Sequence, residues 1–146
     1  MASSSADVQV VIDRPVADVF AYMANYDNNI HWQDGVVSSR QVTAGDPGVG
    51  TQVSYTRQLL GRDISTTSQM VAFELDRKLR MKSDTKLFSY LGGYDFSERD
   101  GATHVHYRGE ISTKPLLGFV GRALAGKFQT QMEGDLQRLK ALLEGR

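Results

Sequence analysis

The sequence predicts an α+β fold in which helices cover one face of a curved antiparallel sheet. Three observations support this prediction. A long amphipathic segment closes the chain, six strand-like runs joined by short links precede it, and one further strand with two short helices comes first. Strands that follow one another through short turns are typical of an antiparallel meander, and strands and helices grouped in this way are typical of the α+β class.

The closing segment, residues 114–144, has the clearest periodic pattern in the chain. Pro115 lies near its start, where helices commonly accept proline. Its large apolar residues recur at the spacing of one helical face, which predicts a single helix of about seven or eight turns. They are Leu117, Val120, Leu124, Phe128, Met132, Leu136, Leu139 and Leu143. Glycines at 118, 121, 126 and 134 interrupt the segment and indicate close packing, a bend or space for a ligand.

The elements before this helix follow from alternation and from turn residues. A weak first strand covers residues 8–12, a helix follows Pro15, and a second short helix covers residues 30–33. Six strands are then predicted at 36–43, 51–59, 63–74, 79–84, 89–99 and 103–111. We interpret residues 46–50 as a turn and not as a phosphate loop, because a strand and not a helix follows their glycines.

Composition limits the class of protein. A chain of 146 residues predicts one domain, 1–146, and we expect its first six residues to be disordered. The formal net charge of zero argues against a nucleic-acid partner, and the lack of cysteine excludes disulfides and thiolate metal sites. The first residues do not resemble a signal peptide, and no apolar run is long enough to span a membrane. We therefore expect a soluble, cytoplasmic protein without stable membrane insertion.

Alternation along the strands also predicts a cavity between the sheet and the closing helix. The sheet face turned toward the helix is rich in tyrosine and carries serine and threonine, whereas a face that only packs on a helix would favour valine, isoleucine and leucine. Such a mixture fits a ligand cavity, although the tyrosines could also fill a closed core. The predicted ligand-binding residues are Trp32, Tyr55, Arg57, Thr66, Ser68, Met70, Met81, Tyr90, Tyr94 and Tyr107 from the sheet side, with Leu117, Val120, Leu124 and Phe128 from the helix.

Arg57 is the charged residue of this set, and two orientations stay open for it. Its alternation with Val53 and Tyr55 places it inward, whereas a one-residue bulge would turn it outward. A buried arginine needs a partner or an anionic ligand, because an unpaired charge in the interior is costly.

The turns predict where a ligand would enter. In a meander, alternate turns lie on the same edge of the sheet, so the turns at 59–61 and 85–88 and the end of the last strand come together. Turn residues are normally polar, whereas these segments carry Leu59, Leu60, Leu87, Phe88, Leu116 and Phe119. We predict an apolar mouth there; a homodimer contact or a membrane-surface contact would use the same patch, and closure of the core is the simpler alternative.

Other residue groups predict no chemistry of their own. His104 and His106 share one strand face, but a third metal ligand is missing and the face points to solvent, so we predict no metal site and no cofactor. No Ser-His-Asp arrangement can be proposed from residue order, and the catalytic residues, if any, stay unassigned.

Three strings resemble the START-like, helix-grip (SRPBCC) superfamily and, within it, the bacterial polyketide cyclase/dehydrase-like group. They are IDRPVADVF at 12–20, HWQDGV at 31–36 and GVGT at 48–51. Their order and spacing are similar to the strand–Pro–Val-Phe opening, the tryptophan before a polar turn and the Gly-x-Gly-Thr strand entry of that superfamily.

The resemblance implies a curved seven-stranded sheet that grips the C-terminal helix around a hydrophobic cavity. Members bind lipids, steroids, polyketides, plant hormones or aromatic compounds, and a minority catalyse cyclisation or dehydration. They share no single set of catalytic residues, so none is transferred to this chain. Three functions stay open: binding of a hydrophobic small molecule, a cyclase/dehydratase-type enzyme using pocket tyrosine or arginine groups, and a protein-interaction module.

Overall fold

The computed structural model describes residues 2–59 and 61–145, residue 59 by its backbone alone. Its strands form one seven-stranded antiparallel sheet in the order β1-β7-β6-β5-β4-β3-β2. After β1, each strand therefore pairs with the next one along the chain, as the meander predicted. The strands are β1 (Ala2–Ile12), β2 (Val36–Gln41), β3 (Gln52–Leu59), β4 (Arg62–Glu74), β5 (Lys78–Asp84), β6 (Phe88–Arg99) and β7 (Ala102–Thr113).

Helices follow β1 and β7, as the sequence predicted, but the second short helix begins at Tyr26 and not at residue 30. Helix α1 (Val16–Ala24) and a 3₁₀ helix (Tyr26–His31) follow β1, and a second 3₁₀ helix (Pro115–Leu117), α2 (Gly118–Gly126) and α3 (Phe128–Leu143) follow β7. The predicted α+β helix-grip fold is confirmed. In the part of the chain that the structure describes, no helix has both the length and the apolar character that crossing a membrane requires.

Two details of the sequence prediction need correction. The closing segment is not one continuous helix, because Lys127 leaves helical geometry at φ −101° and ψ 1°, directly after Gly126, a poor helix former. The N-terminal residues 2–6, expected to be disordered, form the first half of β1: Ala2 pairs with Thr113, and Ala6 is buried. Backbone pairing with β7 orders this serine-rich stretch.

The concave face of the sheet packs on α3. The apolar stripe Phe128, Met132, Leu136 and Leu139 is buried, and the last two are fully inaccessible to solvent. At the other end of the sheet, the ring of Phe20 from α1 packs edge-on against Phe96, with centroids 5.1 Å apart. The core therefore lies between the sheet and two helices that approach it from opposite ends of the chain.

Side chains of α3 also bond the backbone of β1, which is an edge strand. The amide of Gln129 accepts from the N–H of Asp7 at 2.9 Å and donates to its carbonyl at 3.0 Å. Lys140 Nζ donates to the carbonyl of Val11 at 2.6 Å. These bonds satisfy backbone groups that an open sheet edge would leave to solvent or to another chain.

The packing predicts unequal effects for two leucines on α3. Leu136→Ala should lower the free energy of unfolding by about 2–5 kcal/mol, because it leaves a void in a fully buried site. Leu142→Ala is the matched control, since Leu142 is 43% exposed and its truncation should cost less than about 0.5 kcal/mol. Urea unfolding measures both. Equal losses would show that α3 does not form the core.

Candidate functional site

A cavity of about 180 Å³ lies between the concave face of the sheet and the helical segments that follow β7. An engineered cavity of about 150 Å³ holds benzene, and drug-sized ligands occupy about 300–1,000 Å³. The space therefore suits a molecule near the size of a single substituted ring. Its wall is formed by Tyr26, Gln33, Tyr55, Arg57, Ile64, Thr66, Ser68, Met81, Ser83, Leu87, Phe88, Tyr90, Gly92, Tyr94, Ile111, Thr113, Leu117, Leu124, Phe128, Gln131 and Met132.

The cavity exists because the two halves of the closing segment fill space differently. Leu136 and Leu139 of α3 fill the core, whereas α2 approaches β7 through small residues. A methyl group at Gly121 would lie 2.6 Å from Thr113 Oγ1, so this approach requires glycine. On the sheet side the wall carries short side chains, and two of them, Ser68 and Ser83, hydrogen-bond each other.

A pair of tyrosines on β6 and β7, called here the tyrosine floor, consists of Tyr90 on the cavity wall and Tyr107 behind it. The hydroxyls of Tyr90 and Tyr107 are hydrogen-bonded at 2.6 Å. Two glycines make room for them, since a methyl group would lie 2.3 Å from Tyr90 Oη at Gly92 and 2.1 Å from Tyr107 Oη at Gly109. Tyr107 is fully buried and reaches the cavity only through Tyr90, which lines it.

More hydroxyl and amide groups lie on the β3 side of the cavity. Asn29 Nδ2 donates to Tyr55 Oη at 3.3 Å, and the ring of Tyr26 packs edge-on against Tyr55. The Tyr26 hydroxyl and Asn29 Oδ1 are buried without a hydrogen-bond partner among residues 2–59 and 61–145. Burial raises the pKa of Tyr55 and of Tyr90 above the ordinary value of 10.0, so these hydroxyls are neutral at physiological pH.

Arg57 faces the cavity, the inward of the two orientations left open above. The register irregularity falls on β2, between Val36 and Ser38, and leaves β3 alternating regularly. Arg57 Nη1 donates to the carbonyl of Asp34 at 3.2 Å, and Nη2 donates to Gln33 Oε1 at 3.3 Å. Both acceptors are uncharged, so these bonds orient the guanidinium without neutralising it.

Helix α3 fixes the corner that supplies those acceptors. Asp135, only 1% exposed, accepts from the N–H of Asp34 at 3.0 Å and pairs with Arg138. Arg138 Nε donates to the carbonyl of Trp32 at 3.2 Å. Burial raises the pKa of Asp135, and the Asp34 N–H, Arg138 and the charge of Arg57 oppose that rise. The sequence analysis missed Asp135, although it falls between Met132 and Leu139 on the apolar helical face.

The structure places most of the predicted site residues on the wall. The sequence analysis missed some wall residues on the strands, such as Ile64 and Ser83, although they follow the same alternation. It also missed Tyr26 and Gln33, which lie in the helical corner where no alternation applies. The predicted residues on the wall are Tyr55, Arg57, Thr66, Ser68, Met81, Leu87, Phe88, Tyr90, Tyr94, Leu117, Leu124 and Phe128.

Four predicted ligand-binding residues lie off the wall. Trp32, Met70 and Tyr107 are buried behind it in the core, because alternation identifies the face of a residue and not its depth. Trp32 packs edge-on against the ring of Tyr94. Val120 is half-buried on α2 and does not line the cavity.

Only some of the residues predicted to form an apolar mouth lie on the cavity wall. Leu87 and Phe88 line the cavity, and the carbonyl of Leu87 accepts from the N–H of Lys114, which joins the β5–β6 turn to the end of β7. Leu116 and Phe119 are 73% and 75% exposed and lie off the wall, because their side chains face solvent. Leu60 and the side chain of Leu59 fall outside the described residues.

The histidine pair lies on the opposite, convex face. His106 Nε2 lies 2.7 Å from Asp7 Oδ1, so His106 is paired with a side chain of the neighbouring strand β1. Among the side chains that the structure describes, no three potential ligands come together to hold a metal ion.

The tyrosine floor predicts a specific effect for one glycine. Gly109→Ala should lower the free energy of unfolding by about 1–3 kcal/mol, because the new methyl group displaces the Tyr107 hydroxyl. Gly48→Ala is the matched control, since nothing lies within 4 Å of that position. Urea unfolding compares them, and equal stabilities would contradict the described contact.

Asp135 predicts a pH dependence. Its raised pKa means that, above its ordinary value of 3.8, the folded state still binds a proton that the unfolded state has released. Raising the pH through this window therefore lowers the stability of the wild type. Asp135→Asn lacks this titration. The free energy of unfolding of the wild type minus that of the variant should fall with rising pH and then level off. A difference that grows with pH would contradict the raised pKa of Asp135.

Comparisons with known proteins agree with this architecture. No curated protein sequence matches the chain. The Zhui aromatase/cyclase from Streptomyces sp. R1128 has a similar structure, with a TM-score of 0.81 at 12% identity, over 99% of this chain and 96% of that one. A START superfamily protein from Mycobacterium smegmatis gives a TM-score of 0.67 at 9% identity, over 92% and 98% of the two chains.

A third similar structure is the di-domain aromatase/cyclase StfQ from the steffimycin biosynthetic pathway, with a TM-score of 0.76 at 17% identity. The match covers 99% of this chain and 51% of that one. At such identities the likeness shows the fold alone. The family profile described as "Polyketide cyclase / dehydrase and lipid transport" matches residues 3–144. The chain therefore belongs to that family and carries its START-like fold, as the three sequence strings indicated.

Proposed function

We propose that the protein binds a hydrophobic small molecule, of lipid-like, polyketide or aromatic type, in the cavity between the sheet and the C-terminal helices. The observation that carries the proposal is the composition of the wall. Rings and aliphatic chains such as Phe88, Ile111 and Leu117 lie toward β6, β7 and α2, whereas Gln33 and Arg57 lie at the β3 side. A mainly apolar wall with a few convergent polar groups is typical of a ligand site.

The volume narrows the range of ligands. A cavity of about 180 Å³ accommodates one substituted ring or a short aliphatic chain, and a multi-ring polyketide would need α2 to move outward. Because the space exceeds what benzene requires, ligand binding accounts for it better than a protein-interaction module with a vestigial cavity.

A cyclase- or dehydratase-type reaction is the second candidate, and the family description and the aromatase/cyclase neighbours favour it. In that reaction the wall would act by electrostatics. Burial raises the pKa of Tyr55, so its hydroxyl would donate a hydrogen bond and keep its proton. Arg57 would stabilise negative charge that develops on a carbonyl oxygen.

Blocking the cavity tests the first proposal. Thr66 lines it, whereas its neighbour Thr67 is exposed on the other face of β4. Thr66→Trp should weaken the binding of the single-ring fluorescent dye 4-(dimethylamino)benzonitrile by about tenfold or more, because the indole occupies the space. Thr67→Trp is the matched control and should bind like the wild type. Fluorescence titration measures the affinities, and thermal unfolding verifies that both variants are folded.

Equal affinity in the two variants would show that the dye binds elsewhere and would refute the cavity proposal. Native mass spectrometry of the purified wild type, followed by analysis of the released small molecule, separates binding from reaction. A ligand recovered unchanged after incubation indicates binding alone, whereas loss of the mass of water indicates a dehydratase.

A further inference from the structure

The charge of Arg57 is held in the cavity wall without a counter-ion. A guanidinium has five N–H donors, and the bonds formed here use two, to a backbone carbonyl and to the amide oxygen of Gln33. No carboxylate among residues 2–59 and 61–145 forms an ion pair with Arg57. The remaining donors have no hydrogen-bond partner among the described residues, and Arg57 lines the cavity.

The buried carboxylate nearest to this corner is already bound. Asp135 pairs with Arg138 and accepts from the N–H of Asp34, while Arg57 donates to the carbonyl of the same residue. The backbone of Asp34 thus lies between the two groups and is held by both. This arrangement fixes the guanidinium in position. The charge of Arg57 acts on Asp135 and helps to lower its pKa, but the ion pair of Asp135 is with Arg138 and not with Arg57.

The field of Arg57 reaches the interior of the cavity. Burial raises the pKa of Tyr55 and Tyr90, and the positive charge of Arg57 opposes that rise in both. Tyr55 lies two residues from Arg57 on the same face of β3, so its neutral hydroxyl can donate beside the guanidinium. An anionic group bound there would meet a charged fork and an adjacent hydroxyl.

We propose that Arg57 is an anion subsite and that the ligand is a monocarboxylic acid with a single-ring or short aliphatic body. This inference rests on the proposed binding function. Guanidinium and carboxylate form paired hydrogen bonds in one plane, and the low polarity of the wall strengthens them. Among the described wall residues Arg57 alone carries a positive charge, which suits one carboxylate better than a phosphate dianion.

A matched pair of probes tests the subsite. The acid 4-butylbenzoate and its amide 4-butylbenzamide have the same shape and differ in charge. Isothermal titration of the wild type should show the acid binding about tenfold or more tightly than the amide. Arg57→Gln should abolish this preference and change the affinity for the amide by less than about twofold. Arg57→Lys, which keeps the charge and loses the fork, should retain part of the preference.

Arg40→Gln is the control, since Arg40 is exposed on β2 and loses the same charge outside the cavity. It should keep the full preference. Equal binding of acid and amide by the wild type would overturn the subsite, as would a parallel loss of both affinities in Arg57→Gln. If neither probe binds while Thr66→Trp still weakens binding of the single-ring dye, the acid class is wrong. If Thr66→Trp also has no effect on the dye, the binding function itself fails.

Discussion

The structure depends on the seating of α3 in the concave face of the sheet. Leu136 and Leu139 fill the middle of the core, and polar side chains fasten the helix on both flanks. On one flank Gln129 bonds the backbone of β1, and on the other Asp135 bonds the corner before β2. Helix α3 is thereby tied to the first strand and to the corner that precedes β2, and these two strands are the edges of the sheet.

The cavity follows from the helix break at Lys127. Beyond it, α3 presents large side chains to the core; before it, α2 presents Gly121 to Thr113 of β7. The sheet side of the wall carries hydroxyl groups that bond each other, as in the Ser68–Ser83 pair. The wall thus combines hydroxyls that are paired within the protein with polar groups that are not, such as the Tyr26 hydroxyl.

Local patterns in the sequence predicted most of the fold and about the right face for each site residue. Alternation placed Tyr55 and Arg57 inward correctly, since the bulge that could have reversed them falls on β2. The same alternation could not separate wall from core, so Tyr107 was assigned to the wall although Tyr90 covers it. The helix break was missed because the apolar period continues through Gly126, and only the structure shows that the helix is interrupted at Lys127.

The charge on Arg57 is the feature that a purely structural role does not explain. The carbonyl of Asp34 and the amide oxygen of Gln33 are neutral acceptors, and an uncharged amide side chain could donate to them at a lower desolvation cost. A guanidinium keeps its charge in proteins, and burial keeps the nearby Tyr55 hydroxyl protonated. Neither group therefore exchanges protons readily near neutral pH. Their shared capacity is to hold negative charge, either a bound carboxylate or an oxyanion, and binding accounts for the charge without requiring a reaction.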